Sequence, residues 1–253
     1  MATDYHCHLL PALDDGPSTM AESIEMARLL AGAGYGTVYC TPHLIKGVYG
    51  AGNDAVRSGV GELQERLKRE GIPLTVLPGR EYYLDEFLAD CLDDPLPLGD
   101  TGLLLVELPR QVPEELVKST LFRIRQKGFT PLIAHPERCK LLDPPPSETN
   151  QKGFLNSLIN SKFKIQNSSG PQLGSKLASN SLLAYLQEIG CAFQGNLGSF
   201  AGYYGHRARA SAERMREMGL YSCFGSDGHN VEGLKEILVQ GTPSPGALHH
   251  PLL

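Results

Sequence analysis

The sequence predicts an α/β fold in which about seven strand–helix units form a closed or nearly closed parallel barrel. Three observations support this prediction. Short apolar strands alternate with helical stretches, the units are evenly spaced, and the chain of 253 residues has a length common among single-domain barrels. An open doubly wound sheet fits the even spacing less well.

The strands are predicted from short apolar segments. In chain order, the predicted strands are Asp4–Leu10, Thr37–Thr41, Leu74–Leu77, Leu103–Leu108, Pro131–Ala134, Cys191–Gln194 and Tyr221–Phe224. The helices are predicted from apolar residues at helical spacing together with capping and stop signals; Ser18 or Thr19 caps the first helix and Gly34 ends it. The predicted helices are Met20–Ala33, Asn53–Arg69, Leu84–Leu92, Pro113–Lys127, Leu182–Ile189 and Tyr204–Met218.

Residues 144–180 interrupt this alternation. The segment begins with three consecutive prolines, is rich in serine and asparagine, and has little apolar periodicity. We therefore predict a single domain, residues 1–253, with an insertion or long surface loop at about 144–180. The tail from Gly241 onward is also expected to be irregular.

Composition excludes several classes of function. With 23 basic and 28 acidic residues the net charge is -5, and no long basic run suggests a nucleic-acid surface. No segment approaches the roughly 20 apolar residues of a membrane span, and we expect no signal peptide. The six cysteines form no C-x-x-C pair, which predicts reduced thiols in the cytoplasm. None is followed by arginine at the spacing of a cysteine-based phosphatase.

Side chains that can bind a metal lie near the C-terminal ends of six of the seven predicted strands. In α/β barrels this end carries the active site. Each of these residues alone has an ordinary explanation, such as a hydrogen-bonded histidine or a solvated glutamate. Together they predict a metal cluster, because none of these histidines lies in a helix-like stretch. The candidates are His6, His8, Asp14 or Asp15, His43, Glu81, Glu107, His135, Asp227 and His229.

The types of donor atom indicate which metals the cluster would bind. Imidazole and carboxylate groups without a thiolate suit Mn, Fe or Zn acting as a Lewis acid. The candidates exceed the needs of one ion, so two or three ions that share a bridging carboxylate are expected. Such clusters cleave phosphate esters. Arg138, three residues after His135, could clamp the phosphoryl oxygens, although it could also be an ordinary surface arginine.

The ordered motifs resemble those of the PHP (polymerase and histidinol phosphatase) superfamily. They are His6-Cys7-His8, Thr41-Pro42-His43, Gly79-Arg80-Glu81, Glu107, His135-Pro136-Glu137-Arg138 and Ser226-Asp227-Gly228-His229. Three further stretches are similar to the manganese-dependent protein-tyrosine phosphatases of bacterial capsule and exopolysaccharide operons. These are Asp14-Asp15-Gly16-Pro17, His43–Tyr49 and Glu81-Tyr82-Tyr83. The resemblance runs from about residue 1 to 143 and from 181 to 240.

This resemblance implies a distorted (β/α)7 TIM-like barrel, the PHP fold, with two or three Mn²⁺ ions at its mouth. It implies one ion on His6, His8, Glu81 and Asp227. A second is implied on Glu81, Glu107 and His135, and a third on Asp15, His43 and His229. It also implies that Arg138 contacts the phosphate and that Asp4 supports a ligand histidine.

The implied reaction is hydrolysis of phosphotyrosine by a hydroxide that bridges the ions, without a cysteinyl intermediate. The implied substrate is an autophosphorylating tyrosine kinase that controls capsule or exopolysaccharide synthesis. The chain departs from the family pattern in three places: the insertion after Arg138, Gly195 within a polar strand-six motif, and a short region after His229 that is expected to lack a closing helix.

Two alternatives remain open at this point. One is another PHP phosphatase that acts on a small molecule, such as a histidinol-phosphate phosphatase. The other is a non-catalytic scaffold that binds a kinase. The Asp14–Pro17 stretch favours the tyrosine phosphatase over the first alternative, and the intact ligand positions argue against the second. The oligomeric state is left open.

Overall fold

The computed structural model describes residues 1–144 and 181–240. The strands are β1 (Ala2–Cys7), β2 (Tyr35–Cys40), β3 (His43–Leu44), β4 (Thr75–Pro78), β5 (Glu81–Tyr83), β6 (Leu103–Glu107), β7 (Thr130–Ala134), β8 (Ala192–Asn196) and β9 (Cys223–Gly225). The α-helices are α1 (Met20–Gly32), α2 (Asn53–Arg69), α3 (Glu114–Gln126), α4 (Ser181–Glu188), α5 (Leu197–Ala201), α6 (Gly205–Glu217) and α7 (Val231–Gln240). Short 3₁₀ helices cover Leu88–Asp93, Pro136–Arg138 and Lys140–Leu142.

Two of the predicted strand positions are interrupted. Thr41-Pro42 separates β2 from β3, and Gly79-Arg80 separates β4 from β5. Backbone hydrogen bonds nevertheless continue across both breaks, from Gly79 N to Cys40 O (3.0 Å) and from Glu81 N to Pro42 O (3.2 Å). The described strands therefore occupy seven positions, and every pairing between them is parallel.

The first and last strands close the sheet. Asp227 N donates to His6 O (2.7 Å), and His8 N donates to Gly228 O (3.0 Å). The other strands follow in the orders β1-β2-β4 and β3-β5-β6-β7-β8-β9. The predicted fold class is confirmed, and closure brings the ends of β1 and β9 together at one side of the barrel mouth.

Apolar residues fill the lower part of the barrel interior. This inner core contains Tyr39, Leu98, Leu103, Leu105, Leu132, Ala134 and Cys223. Successive side chains on a strand alternate between faces, so Glu107 follows Leu103 and Leu105 on the inward face of β6. A larger apolar layer lies between the strands and the helices. The inner core thus ends where the polar mouth begins.

The predicted helices match the structure closely at α1 and α2. Thr19 and Glu22 form the predicted capping box at the start of α1. The predicted helix Leu84–Leu92 is instead a 3₁₀ helix at Leu88–Asp93.

The expectation that no helix follows His229 is wrong. Helix α7 follows it, and its buried Leu234 and Ile237 face the apolar layer, since both are fully or almost fully shielded from solvent. Apolar residues three positions apart lie on one face of a helix, and burial of that face holds a surface helix against the core.

Except for Pro144, the predicted insertion at 144–180 lies outside the described residues, as does the tail from Gly241. No helix in the described part of the chain combines the length and apolar character needed to cross a membrane.

Candidate metal centre

The predicted ligands converge at the mouth of the barrel. A pocket of about 420 Å³ opens there. Its lining residues are Asp15, His43, Glu81, Glu107, His135, Arg138, Tyr203, Tyr204, Asp227 and His229. His6 and His8 lie directly beneath it, both fully buried. The structure therefore brings all of the sequence-predicted site residues into one place.

The most compact group consists of His6, His8, Glu81 and Asp227. His6 Nε2 lies 3.0 Å from Glu81 Oε2 and 3.2 Å from Asp227 Oδ1. His8 Nε2 lies 3.1 Å from the same Glu81 oxygen and 3.3 Å from the same Asp227 oxygen. The two imidazole Nε2 atoms are themselves 3.1 Å apart.

This arrangement fits a bound metal ion. Two donors that each lie about 2.1 Å from one ion, at right angles, are about 3 Å apart. The group combines two buried carboxylates with two imidazole nitrogens that face each other as well as the carboxylates. A cation among them would satisfy all four donors at once, whereas protons could satisfy them only in part.

Glu81 connects this group to a second one. Its Oε1 lies 3.1 Å from His135 Nε2, which is 3.9 Å from Glu107 Oε1. His43 Nδ1 lies 3.2 Å from Glu81 Oε2, yet this buried nitrogen makes no hydrogen bond with any residue that the structure describes. Both oxygens of the fully buried Glu81 therefore face potential ligands, which is the arrangement that a bridging carboxylate requires.

The remaining predicted ligands lie at the outer edge. His43 Nε2 lies 3.7 Å from Asp15 Oδ1, and His229 Nε2 lies 3.5 Å from the same oxygen. His8 also falls within this group, which the sequence did not anticipate. Asp15 is the half-exposed member, so this outer group is the one most open to solvent.

Burial and neighbouring charge shift the pKa values of these groups strongly. Burial lowers the pKa of His6, but the carboxylates of Glu81 and Asp227 outweigh burial and raise it to about 9. Burial and the charge of Glu81 raise the pKa of Glu107 to about 8. Burial, followed by the charge of Arg138, lowers the pKa of His135 to about 4. Donors that perturb one another this much are typical of functional sites.

Arg138 reaches the same centre through a sharp turn. His135 adopts a left-handed backbone conformation (φ 31°), after which the chain forms the 3₁₀ turn Pro136–Arg138. Asp227 is also left-handed (φ 53°). Arg138 Nη1 donates to Asp227 Oδ2 at 2.7 Å. A left-handed backbone is strained for residues other than glycine, and such strained residues cluster at functional sites. Two of the predicted ligands have this conformation.

Comparison with known proteins identifies the family. The family model for capsular polysaccharide synthesis proteins CpsB/CapC matches residues 2–158. This chain belongs to the CpsB/CapC family.

Relatives of known name agree with this assignment. The tyrosine-protein phosphatase YwqE of Bacillus subtilis is 35% identical over 231 residues, which is 90% of this chain and 78% of that protein. The tyrosine-protein phosphatase CpsB of Streptococcus agalactiae is 27% identical over 176 residues, 69% of this chain and 70% of that protein. The resemblance read from the motifs is confirmed.

A solved structure supports the same family assignment. It comes from a study of YwqE from Bacillus subtilis and CpsB from Streptococcus pneumoniae, which are described there as unique metal-dependent tyrosine phosphatases. It aligns with a TM-score of 0.74 at 33% identity, over 99% of this chain and 89% of that chain.

Two residues that support the ligands were not predicted as such. Asp14 Oδ2 lies 2.7 Å from His8 Nδ1 and accepts from His43 N at 2.9 Å. Burial raises the pKa of Asp14, but the hydrogen bond with His8, the charge of His8 and the backbone hydrogen bonds from Gly16 and His43 together outweigh burial and lower the pKa to about 2. The residues alone had left Asp14 and Asp15 as alternatives, and the resemblance had implied Asp15 as the ligand. In the structure Asp14 orients a histidine, whereas Asp15 faces the outer group.

Gln194 is the second missed residue. Its Oε1 lies 3.0 Å from His6 Nδ1 and accepts from His135 N at 3.2 Å. The amide oxygen makes Nδ1 the protonated nitrogen of His6, so Nε2 is free to face the cluster. A polar residue near the end of an apolar strand was the available signal for this role.

Asp4 contacts a predicted ligand histidine, His6, through the backbone of that residue. Its Oδ1 accepts from the backbone N–H groups of His6 (3.1 Å) and Ser226 (2.9 Å), not from a histidine ring. Asp4 therefore joins β1 to the end of β9. Burial raises the pKa of this carboxyl to about 6.

Proposed function

We propose that the chain is a metal-dependent phosphatase that hydrolyses phosphotyrosine on proteins. The observation that carries the proposal is the buried group of imidazoles and carboxylates beside an arginine, in one pocket of a chain 35% identical to a tyrosine-protein phosphatase. The fit of these donors to metal ions supports the metal dependence.

The proposed ligand sets follow the resemblance. His6, His8, Glu81 and Asp227 hold the first ion. Glu81, Glu107 and His135 hold the second, with Glu81 shared. Asp15, His43 and His229 hold the third, and His8 lies close enough to contribute. Two or three Mn²⁺ ions are proposed, with Fe and Zn as alternatives, because the donors are nitrogen and oxygen without thiolate.

The chain's own residues have distinct tasks in this reaction. Bound ions supply Lewis-acid polarisation of the phosphoryl oxygens and a nucleophile derived from water. Arg138 binds the phosphoryl group and stabilises its developing charge. Gln194 and Asp14 hold His6 and His8 in the orientation that the ions need. Tyrosine phenolate, with a reference pKa of about 10, leaves without a strong general acid.

The substrate is proposed to be a protein that participates in capsule or exopolysaccharide synthesis, and specifically an autophosphorylating tyrosine kinase. The name of the family supports the pathway, and the names of its relatives support the phosphotyrosine. A cytoplasmic location is proposed as well, supported by six unpaired cysteines.

Phosphate release tests the proposal directly. Protein loaded with Mn²⁺ is assayed on a phosphotyrosyl peptide and on histidinol phosphate side by side, with and without a chelator. We expect the peptide to be preferred and the activity to disappear with chelator and return with added metal. A preference for histidinol phosphate would place the chain among the small-molecule phosphatases. Activity that persists in the chelator would refute the metal dependence.

A further inference from the structure

Tyr204 lies against Arg138 in the pocket. The Arg138 guanidinium carbon lies 4.3 Å from the centre of the Tyr204 ring, within the range of a cation–π contact. Both residues line the pocket that contains the candidate ligands. The flat guanidinium thus has one of its faces against an aromatic ring.

The hydroxyl of Tyr204 reaches the acceptor on which Arg138 is anchored. Tyr204 Oη donates to Asp227 Oδ2 at 3.3 Å, and Arg138 Nη1 donates to the same oxygen at 2.7 Å. Asn196 Nδ2 donates to it as well, at 2.8 Å. Asp227 Oδ2 is therefore fixed by three donors, while Asp227 Oδ1 faces the histidines.

The Tyr204 ring packs closely against a glycine of the neighbouring helix. A Cβ atom on Gly198, in helix α5, would lie 2.9 Å from Tyr204 Cε2, closer than carbon atoms normally approach. Arg207, in the first turn of helix α6, donates through Nη2 to the backbone carbonyl of Arg138 at 2.8 Å. Both the ring and the arginine backbone are thus held in place.

We propose that Tyr204 is a positioning residue for phosphoester binding, because its ring fixes the plane of the Arg138 guanidinium and its hydroxyl fixes the anchor of that guanidinium. The remaining guanidinium N–H groups make no hydrogen bond within the described residues, so they are available for phosphoryl oxygens. The inference rests on the proposed function, in which Arg138 binds the phosphoryl group.

A double-mutant cycle on the full chain tests it. The variants are Tyr204→Leu, Tyr204→Phe, Arg138→Ala and the double variant of Tyr204→Leu with Arg138→Ala. For each we would measure KM and kcat on a phosphotyrosyl peptide, the Kd of inorganic phosphate by calorimetry, and the bound metal. Tyr185→Leu, alone and with Arg138→Ala, is the matched control, since Tyr185 also has a cation over its ring, Lys118 Nζ at 5.6 Å, but is not among the residues that line the pocket.

Tyr204→Leu is expected to raise KM and the phosphate Kd on the order of three- to thirtyfold, in keeping with the strength of partly buried cation–π contacts. Tyr204→Phe keeps the ring and is expected to lose less. In the Arg138→Ala background, Tyr204→Leu should have no further effect, whereas Tyr185→Leu should leave both constants unchanged in both backgrounds.

Equal effects of Tyr204→Leu in both backgrounds would overturn the inference, and so would a loss of bound metal in Tyr204→Leu. If that variant does not fold, Tyr204→Phe still decides: an unchanged phosphate Kd and KM would overturn the role of the hydroxyl. A wild-type chain that binds phosphate without hydrolysing phosphotyrosine would overturn the proposed function only, because phosphate affinity still reports the coupling.

Discussion

Arg138 Nη1 lies 2.7 Å from Asp227 Oδ2, while the other oxygen of the same carboxylate, Oδ1, lies 3.2 Å from His6 Nε2. One carboxylate thus joins the residue proposed to bind the phosphoryl group to the residues proposed to bind the metal. Any movement of Asp227 would be transmitted to both. Asp227 therefore couples the position of Arg138 to that of the proposed metal ligands.

Replacement of Arg138 by alanine should lower kcat on the order of 10²- to 10³-fold, which is the usual cost of removing a donor that stabilises developing charge. Bound metal should persist, because Asp227 Oδ1 still faces His6 and His8. Steady-state kinetics on a phosphotyrosyl peptide measures the effect. The exposed Arg123, in helix α3, provides the control as Arg123→Ala. A loss of only a few-fold would reduce Arg138 to a surface arginine.

Replacement of His135 by alanine should abolish turnover. The imidazole lies 3.1 Å from Glu81 Oε1, so its removal takes a ligand from the second proposed ion and removes the imidazole that faces this oxygen. Elemental analysis of the purified variant should show less bound metal than the wild type. His206→Ala, at an exposed position in helix α6, is the control. Full activity of His135→Ala would refute the proposed ligand set.

The substitution Asp14→Asn tests whether Asp14 acts by orienting His8 and not as a metal ligand itself. Asparagine can still contact His8 Nδ1 but carries no charge, so the imidazole becomes a weaker donor to the metal. We expect a loss of about 10- to 100-fold in metal affinity, with most activity restored at saturating metal. Activity measured against free Mn²⁺ gives the midpoint. An unshifted midpoint would mean that the 2.7 Å contact with His8 does not tune the site.

Much of this site could be predicted from the sequence because its ligands follow strands in a regular order. The strands are short apolar segments, and parallel strands in a closed barrel bring their C-terminal ends together whatever their exact register. His43 and Glu81 illustrate this: they lie two and four residues beyond the expected strand ends, and both still reach the centre because the strands resume at β3 and β5.

What the sequence missed depends on contacts between distant segments. Gln194 and His6 are far apart in the chain, and nothing local to either residue indicates that they meet. The roles of Asp14 and Asp15 could not be separated by spacing, since adjacent residues in a loop have no fixed directions. Helix α7 had an apolar spacing at Leu234 and Ile237 that could have predicted it, but its length of 10 residues made the signal weak.

Gly225→Ala should destabilise the barrel where it closes. A Cβ at this position would lie 2.5 Å from His6 Cβ and 2.7 Å from His6 N, and the backbone of β1 cannot yield without breaking its hydrogen bonds to the end of β9. We expect the free energy of unfolding to fall by about 1–3 kcal/mol. Urea denaturation of the metal-free protein measures this without a contribution from bound ions.

Gly61→Ala is the control for this substitution. Nothing lies within 4 Å of a Cβ at Gly61 on helix α2, so alanine there should raise stability by about 0.5–1 kcal/mol. Equal effects of the two substitutions would show that β1 and β9 are not in close contact.

Cys7→Ser tests whether a thiol participates in the reaction. Cys7 lies between His6 and His8 in the chain, but it is fully buried in the apolar layer, with Sγ 3.5 Å from Gly228 O. Burial, followed by the charge of Asp4, raises the pKa of this thiol well above its ordinary value, so it is a poor nucleophile. Serine is smaller and can donate to the same carbonyl, so we expect turnover close to that of the wild type and a modest loss of stability. Complete loss of turnover with bound metal unchanged would point to a cysteine-based reaction and against hydrolysis by a metal-activated water.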